Sequence, residues 1–567
     1  MSEGTEDAED TAGTAGTAGT AGTANTAGTH RATADQATGD GGADDGRGAA
    51  ITLRVDQNEY LPAAAGRAEM HAIVRVEARG LGPAAARAAA SEVIVIDCSG
   101  SMTWPPTKIM AARKATVAAV SVLREGTRFA VVQGTERAEV VYPPTGGMAV
   151  AGPDTKAAAS RAAMKLAALG GTAIGTWLDL ARRLHSEQPT ALRHTLLLTD
   201  GKNEHEDPGE LARVLDACAP SFTCDARGIG DGWDATELKE IVRRLRGRAD
   251  AVLDHSDLPA EFEALTRGSM ARALAALRIR IRTRAGGAVS MVKQVYPTRV
   301  DLTDEGARPD PRTWEWRSGP WGDEVREYQV CVTADPEGDA QDEEIELAWV
   351  ELALDGASAD SAPANSAPAD SASAGGPAKD DRSGAGAAGI RLPAAESVLV
   401  RWTDDPLLSS RIHPRLAHYG ADDALGLAVT AAYDAYVAGE PRQALTHWGR
   451  AVRLAHELGN EKMLDRLRGL VDIVEAATGE VRLRERIRPL DLNSAMVLSD
   501  ESSRFRGPGP GAADPLAPAV PTTPAMPPGP DLECPNCGRM APATAAFCQQ
   551  CDTTLRPDGP GAPAGAV

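Results

Sequence analysis

Two short apolar runs of this chain each end in an aspartate that is followed by small residues. The run SEVIVID ends at Asp97, and Ser99 and Ser101 follow it in a D-x-S-x-S pattern. The run HTLLLTDG ends at Asp200. Continuous apolar runs of this length indicate strands that are covered by helices on both faces. The polar groups then lie where the strands end, which is where open α/β sheets bind their ligands.

The alternation of apolar runs and helical patterns extends from Glu92 to about Met270. It predicts an α/β domain with a doubly wound, mostly parallel sheet whose layers are Rossmann-like. The predicted strands are VIVID, RFAVVQ, AEVVY, HTLLLTD, FTCDARGIG and ADAVLD, and the predicted helices lie near 107–123, 155–168, 173–186, 208–218, 235–246 and 257–273.

A third segment, LGGTAIGTWL, adds Thr172 to the polar groups at this edge of the sheet. The carboxylates of Asp97 and Asp200 and the hydroxyls of Ser99, Ser101 and Thr172 offer only oxygen atoms. Oxygen ligands suit a hard divalent cation, Mg²⁺ or Mn²⁺, and do not favour zinc. D-x-S-x-S alone occurs by chance in loops, whereas D-x-S-x-S, G-G-T and T-D-G in this order are specific. The alternative is a domain of this type whose site stays empty in the cell.

This set resembles the metal-ion-dependent adhesion site (MIDAS) of the von Willebrand factor A (VWA) family. The resemblance implies that Ser99, Ser101 and Thr172 bind the metal directly or through water. It also implies that Asp97 and Asp200 act largely through water, and that a carboxylate from a partner protein completes the metal shell. The later stretch GIGDGWDATELKEI is similar to the C-terminal portion of the same family's domain.

Alternating strands flank the predicted A domain (91–273) on both sides. ITLRV and HAIVRVEA precede it, and LRIRIRT, YQVCVT, IELAWVELAL and SVLVRW follow it. In LRIRIRT, leucine and isoleucine alternate with arginine, as in a half-buried antiparallel strand. We expect residues 49–90 and 274–404 to form one β-sandwich into which the A domain is inserted. Two separate β elements are the alternative. The arginine row is expected to be a solvated face, or else a surface for an acidic partner.

The rest of the chain divides by composition. Residues 421–476 carry helical periodicity, with Tyr433, Tyr436, Ala444, Trp448, Ala451 and Leu454 as the predicted helix–helix seam. The pattern is similar to one tetratricopeptide-like hairpin, which cannot bury its own face, so we expect a small helical bundle over 405–490. Low-complexity composition predicts disorder in the tail 1–48 and in a loop at 355–389. It also predicts a Pro/Gly-rich linker at 491–532, semi-extended over 500–532, and a short tail follows at 557–567.

The segment CPNCGRMAPATAAFCQQC predicts a zinc ribbon at 533–556. It presents Cys534, Cys537, Cys548 and Cys551 in two close pairs. Four thiolates suit a closed, structural Zn²⁺ site with no open position for water. The alternative, a redox dithiol pair, lacks the surrounding βαβ pattern. The other four cysteines are scattered, which agrees with a reducing compartment and not with a disulfide framework.

Composition limits the cell location and the partners. The chain has 567 residues, with 59 Lys+Arg against 80 Asp+Glu and a net charge of −21, which argues against nucleic acid as a partner. No apolar run reaches the ~18 residues that a membrane span requires. The N-terminal MSEGTEDAEDTAG lacks the features of a signal peptide. We therefore expect a cytoplasmic protein without a membrane partner.

The functional hypothesis is a non-enzymatic interaction scaffold that captures partners through the MIDAS. The domain order resembles bacterial A-domain proteins that work beside Ser/Thr kinases and phosphatases, as in tellurite-resistance-type systems. That resemblance implies a kinase, a phosphatase or an FHA-type phosphothreonine reader as partner in a signalling or stress-response complex. The alternative is an A-domain partner of an AAA+ ATPase in complex assembly.

A metal-dependent hydrolase centred on Asp97 and Asp200 is a further alternative. The chain carries no H-E-x-x-H, no G-x-S-x-G and no nucleotide-binding glycine loop. His194, His205 and His255 lie in the A domain, but their spacing forms no catalytic group. They are expected to be hydrogen-bonded or exposed, and the protein is expected not to be an enzyme.

Overall fold

The computed structural model describes most of the chain between residues 49 and 507. The described ranges are 49–63, 66–187, 192–336, 338–341, 343–354 and 390–507, with the backbone of 532–533 and 540–541. The predicted disordered segments 1–48 and 355–389 and the predicted tail 557–567 lie outside them, as do most of the linker and the four ribbon cysteines. Among the described helices, none is long and apolar enough to cross a bilayer.

Three strands and a short helix precede the A domain: β1 (Ala50–Gln57), β2 (Tyr60–Pro62), β3 (Ala68–Arg79) and α1 (Gly82–Arg87). The A-domain strands are β4 (Ala90–Asp97), β5 (Arg128–Gly134), β6 (Ala138–Tyr142), β7 (Ala149–Val150), β8 (Leu192–Thr199), β9 (Thr223–Ile229) and β10 (Ala249–Val252). Its helices are α2 (Thr107–Ser121), α3 (Pro153–Ala163), α4 (Ile174–Ser186), α5 (Pro208–Cys218), α6 (Ala235–Arg244) and α7 (Leu258–Met270).

The A-domain sheet has the order β10-β9-β8-β4-β5-β6, and β7 also pairs with β5. The first five strands are parallel, while β6 and β7 run antiparallel to β5. Val93 and Val95 of β4 enter the core on one face, and Ile94 and Ile96 enter the core on the other. The predicted α/β fold is therefore confirmed, and the apolar run is continuous because both faces of β4 are buried.

The strands described between the A domain and the C-terminal helices are β11 (Leu277–Thr283), β12 (Ala288–Tyr296), β13 (Val300–Asp301), β14 (Ala307–Asp310), β15 (Thr313–Arg317), β16 (Glu324–Ala334), β17 (Glu344–Leu354) and β18 (Glu396–Thr403). With β1 to β3 they build two sheets, ordered β1-β3-β16-β12-β13 and β14-β15-β11-β17-β18-β2. Val74 and Val330 of the first sheet share one core with Ile279 and Val350 of the second.

The alternating strand β11 faces two environments. Leu277, Ile279 and Ile281 are buried in the core. On the other face, Arg278 and Arg280 donate to Glu315 of β15, at 2.9 and 2.5 Å. These arginines are therefore paired with a carboxylate of the same sheet.

The C-terminal part contains α8 (Pro406–Ser409), α9 (Pro414–Val437), α10 (Pro441–Glu457), α11 (Glu461–Leu467), β19 (Val471–Glu475), β20 (Glu480–Leu483) and α12 (Pro489–Leu498). The helices α9 and α10 form a hairpin whose turn includes Gly439 in the left-handed conformation, with φ +77°. Tyr436 and Trp448 meet across the seam with ring centroids 5.4 Å apart. Further along the chain, β21 (Leu532–Glu533) pairs antiparallel with β22 (Met540–Ala541).

Two features of the predicted domain organisation are wrong. The predicted helical bundle contains a β-hairpin, because β19 pairs antiparallel with β20. The predicted linker at 491–532 begins too early, because residues 491–498 belong to α12. The apolar side chains of α12 are buried against the A domain and against the C-terminal helices.

Candidate metal site

The two aspartates of the motif lie at the ends of neighbouring strands. Asp97 ends β4 and Asp200 follows β8, and these two strands pair in parallel. The hydroxyl oxygens of Ser99 and Ser101 are 2.9 Å apart. Ser101 Oγ donates to Asp200 Oδ1 at 2.6 Å, and Ser99 Oγ lies 3.4 Å from the same oxygen. Four of the five predicted ligands therefore gather at this edge, and their role as ligands stays a prediction.

Asp97 holds the two strand ends together. Its Oδ1 accepts from the Ser99 backbone N–H at 2.8 Å. Its Oδ2 accepts from the Thr199 hydroxyl at 2.8 Å and from the Asp200 backbone N–H at 3.1 Å. Burial and the nearby charge of Asp200 raise the pKa of Asp97, although these hydrogen bonds oppose the shift. A bound cation would favour the ionised form of both carboxylates.

Thr172 reaches the site from the loop that precedes α4. A Cβ placed on Gly201 would lie 3.0 Å from Thr172 Oγ1 and 3.6 Å from Ser101 Oγ. Both hydroxyls therefore face the same small space above Gly201, which explains the glycine of the T-D-G motif. The loops are joined directly, because the Gly100 N–H donates to the Gly170 carbonyl at 2.8 Å. Thr172 is thus brought to the same edge as the other four residues.

His205 positions Thr172. The His205 backbone N–H donates to the Thr172 carbonyl at 3.0 Å, and the Thr172 N–H donates to His205 Nδ1 at 3.1 Å. A Cβ on Gly171 would lie 2.4 Å from the His205 ring, so the second glycine of G-G-T makes room for the imidazole. The sequence interpretation left His205 without a role, and only this glycine beside Thr172 offered a signal.

Lys108 is a further charged group at the site. Its Nζ donates to Asp200 Oδ2 at 2.7 Å, and the residue is only 8% exposed. In α2 it lies on the same face as Ala112 and Ala115, which are also buried. The sequence interpretation overlooked Lys108. Its spacing from these alanines marked a buried helix face, but a lysine near a helix start resembles an ordinary surface residue.

Two large apolar side chains beside the metal motif are exposed. Trp104 follows the turn that carries Ser101 and is 78% exposed. Leu169 is 80% exposed, and its backbone N–H donates to the Cys98 carbonyl at 2.7 Å. The side chain of Ser101 is also exposed. The site therefore opens to solvent between apolar neighbours.

Two other histidines of the A domain have hydrogen-bond partners outside the five motif residues. His194 is buried between Glu92 Oε1, at 2.7 Å, and Asp225 Oδ2, at 3.0 Å. It lies near the amino end of β8, whereas Asp200 follows the carboxyl end of that strand. His255 Nδ1 lies 2.9 Å from Thr107 Oγ1.

Another group of possible metal ligands lies on the five-stranded sheet. One ligand atom each from Glu69, His71 and Cys331 lies within 4.8 Å of the others. His71 and Cys331 are directly opposed on β3 and β16, with Nε2 and Sγ 3.9 Å apart. Measurements of thiolate-bound metal on this chain must therefore distinguish Cys331 from the ribbon cysteines.

Comparison with known proteins places this arrangement in a family. A family model described as von Willebrand factor type A domain matches residues 92–251, and a model of the type A C-terminal domain matches 453–501. The solved structure described as von Willebrand factor type A from Catenulispora acidiphila is 35% identical, with a TM-score of 0.68. That alignment covers 80% of this chain and 97% of the other.

A curated relative covers less of the chain. An uncharacterized protein of Synechocystis sp. is 28% identical over 229 residues, which are 39% of this chain and 52% of that protein. The chain thus spans about half the length of that relative. The fold and the motif define an A-domain protein with a metal-ion-dependent adhesion motif. The chain belongs to the von Willebrand factor type A family, and the segment that contains α11, the β19–β20 hairpin and α12 matches that family's own C-terminal domain.

Proposed function

We propose that this protein is a non-enzymatic interaction scaffold whose A domain captures a partner protein through a metal ion. The observation that carries this proposal is the convergence of the Ser99, Ser101 and Asp200 side chains at an edge where Ser101 is open to solvent. Asp97 at the end of β4 and Thr172 in the loop before α4 complete the set. The chain also belongs to a family whose A domains commonly mediate protein interactions, which supports the same proposal.

The metal is proposed to be Mg²⁺ or Mn²⁺. The donor set fits such an ion, because it consists of carboxylate and hydroxyl oxygens without nitrogen or sulfur. Bound there, the ion would supply a Lewis-acidic position for a hard anionic oxygen. The protein's own part is to hold the donors, and the hydrogen bonds of Asp97 and His205 fix the loops that carry them.

The partner is proposed to present an Asp or Glu side chain among neutral, basic or apolar neighbours. The chain's net charge of −21 would repel a broadly acidic partner. Trp104 and Leu169 expose apolar surface beside the motif. Exposed aromatic side chains at the centre of an interface often carry much of the binding energy. We therefore expect apolar residues next to the partner's carboxylate.

The setting of the complex is also a proposal. A cytoplasmic signalling or stress-response complex, with a Ser/Thr kinase, a phosphatase or a phosphothreonine reader, rests on the resemblance of the domain order. The ribbon cysteines are proposed to hold a structural Zn²⁺, on the strength of their spacing alone.

We infer that the two sheets outside the A domain form one β-sandwich that carries the A domain as an insertion. Support comes from β3, which precedes the A domain and pairs with β16, which follows it. Support also comes from the shared core, in which Val74 and Ile279 are buried from opposite sheets. Both ends of the A domain would then be held by one core.

The test of the scaffold proposal uses the full chain as bait in Mg²⁺ and again in EDTA, with captured proteins identified by mass spectrometry. A specific partner should be retained in Mg²⁺ or Mn²⁺ and lost in EDTA. Thr172→Ala should lose it as well, because this hydroxyl faces the site. Thr176→Ala is the matched control, since Thr176 is exposed in the first turn of α4 and bonds the Ala173 carbonyl. A partner held equally well in EDTA would refute docking at this site.

A further inference from the structure

The two oxygens of Asp200 have different partners. Oδ1 accepts from Ser101 Oγ at 2.6 Å and lies 3.4 Å from Ser99 Oγ, on the side of the predicted metal ligands. Oδ2 accepts from Lys108 Nζ at 2.7 Å. The ammonium group therefore neutralises the carboxylate from the side away from the hydroxyls. A metal held by the hydroxyls would share Asp200 with Lys108 instead of replacing it.

The fold makes a specific place for this lysine. A Cβ on Gly230 would lie 2.6 Å from Lys108 Cε, and Gly230 has a φ of +75°, which favours glycine. Nζ has a second, longer contact at 3.5 Å with the Ser101 carbonyl. Burying a long charged side chain costs both desolvation and rotamer entropy. The pair with Asp200 offsets that cost, so the position is built around the charge.

Lys108 makes the net charge of the metal-loaded site positive, and this is the charge that an incoming carboxylate would encounter. Counted as formal charges, the two carboxylates of Asp97 and Asp200 and the ammonium group of Lys108 sum to −1 without metal. A divalent ion turns this into one net positive charge, and a partner carboxylate would then bring the sum to zero. Without Lys108, the metal-loaded site would be neutral, and a bound carboxylate would leave it negative. The lysine thus weakens the hold on the metal and strengthens the attraction for an anionic ligand.

We propose that Lys108 is the residue that couples metal binding to carboxylate binding at this site. The proposal rests on the proposed function, because it assumes that a divalent ion binds there. Like charges separated by one carboxylate group repel strongly even at the moderate effective dielectric of a protein edge. Because coupling between two ligands is reciprocal, the partner's carboxylate should tighten the metal as much as the metal tightens the carboxylate.

The experiment compares the full chain with its Lys108→Met variant by calorimetry with MgCl₂, alone and with acetate as the carboxylate probe. Removal of the positive charge should tighten Mg²⁺ binding by about tenfold or more. The enhancement of Mg²⁺ binding by acetate should shrink in the same variant. Lys114→Met on the same helix is the matched control, since Lys114 is exposed, and it should behave like the wild type.

The outcomes separate this inference from the function on which it rests. If Lys108→Met binds Mg²⁺ as the wild type does, or more weakly, Lys108 is a structural support of Asp200 and the coupling proposal is overturned. If the wild type itself binds no Mg²⁺, the metal proposal falls, and the role of Lys108 falls with it. Lys108→Gln, which keeps a donor for Asp200 Oδ2 without the charge, repeats the measurement should methionine disturb the fold.

Discussion

Three glycines give the candidate metal site its shape, because a side chain at any of them would crowd a neighbouring polar residue. Gly201 leaves space for the Thr172 hydroxyl, Gly171 for the His205 ring, and Gly230 for the Lys108 side chain. Each glycine thus admits a polar group that a larger residue would displace. The arrangement of the candidate site therefore depends on these glycines as well as on its oxygen-bearing residues.

His194 is a charged residue in the interior of the A domain. It bonds Glu92 and Asp225, and the Ser269 hydroxyl of α7 donates to Glu92 Oε2 at 2.8 Å. Burial disfavours the charged imidazole, but the charge of Glu92 and the hydrogen bonds to both carboxylates outweigh it and raise the pKa of His194 to about 9. Protonated His194 is therefore expected to stabilise the sheet across β4, β8 and β9.

The first prediction at this scale is a loss of stability at alkaline pH. Because the folded-state pKa is raised, the contribution of His194 is complete below ~6.5 and disappears as the pH rises through about 9. The loss is expected to be up to about 3 kcal/mol. Thermal unfolding followed by circular dichroism across this range measures it, and His194→Gln should flatten the slope.

His185→Gln is the control for that measurement. His185 is also buried, but burial lowers its pKa to about 3, so it stays neutral throughout the alkaline range. Its variant should keep the wild-type slope, whatever it does to the absolute stability. If His194→Gln shows the same alkaline slope as the wild type, the ion cluster does not cause the loss.

The sequence singles out the candidate ligands of the site better than it predicts their supports, and their role as ligands stays a prediction. Asp97 and Asp200 were identifiable because each ends an apolar strand in a specific motif. Lys108 and His205 were not, because their contacts are made between segments far apart in the chain and leave no periodic pattern. The sequence therefore reports what a motif requires locally, whereas charge compensation and positioning emerge only from the tertiary fold.

At the scale of elements, α12 connects two parts of the molecule. Met496 and Val497 are buried with residues of the A domain, while Leu492 and Leu498 are buried with the C-terminal helices. Asn493 Nδ2 donates to the Trp233 carbonyl of the A domain at 2.7 Å. A helix with buried side chains on all sides carries little amphipathic signal, which is why the sequence did not reveal it.

The strands also differ in how well the sequence predicted them. The alternation in β11 predicted its buried face, whereas the pairing of Arg278 and Arg280 with Glu315 of the neighbouring strand was not predicted. The β19–β20 hairpin was missed, although Gly479 in its turn has a φ of +76°. Its short strands follow directly on α11, so the helical pattern hid them. Long elements with one clear period were predictable, and short elements beside them were not.

The prediction at this scale concerns Met496→Ala. Removing a buried methionine side chain should lower the free energy of unfolding by about 2–5 kcal/mol. Because α12 is shared, unfolding of the A domain and of the C-terminal helices should shift together. Chemical denaturation measures this by tryptophan fluorescence, with Trp448→Phe identifying the part of the nine-tryptophan signal that comes from the C-terminal helices.

Met110→Ala is the matched control, since Met110 is partly exposed on α2. It should leave both transitions nearly unchanged. If Met496→Ala shifts only one of the two transitions, α12 belongs to that part alone and does not connect the two.

At the scale of the whole molecule, the candidate metal site lies at one end of the A-domain strands, and the two sheets built from β1–β3 and β11–β18 are connected at the other end. The chain enters β4 from β3 and α1 at the amino end of that strand, whereas Asp97 stands at its carboxyl end. The Arg272 guanidinium, shortly before β11, bonds the Thr223 hydroxyl at the amino end of β9. Trp104 and Leu169 are exposed at the carboxyl edge, so this part of the edge is open for a partner among the described residues, while α12 contacts Asp231 and Trp233 after β9.

The last prediction concerns the C-terminal cysteines and zinc. Cys534, Cys537, Cys548 and Cys551 follow a segment rich in proline and glycine, so we expect the ribbon to fold on its own around one Zn²⁺ per chain. Cys534→Ser should release this zinc, as measured by metal analysis of protein purified without chelator. It should leave the Mg²⁺ affinity and the melting of the A domain unchanged.

Cys331→Ser is the control, because Cys331 lies beside His71 and Glu69. Loss of zinc from Cys331→Ser but not from Cys534→Ser would move the zinc site to the five-stranded sheet.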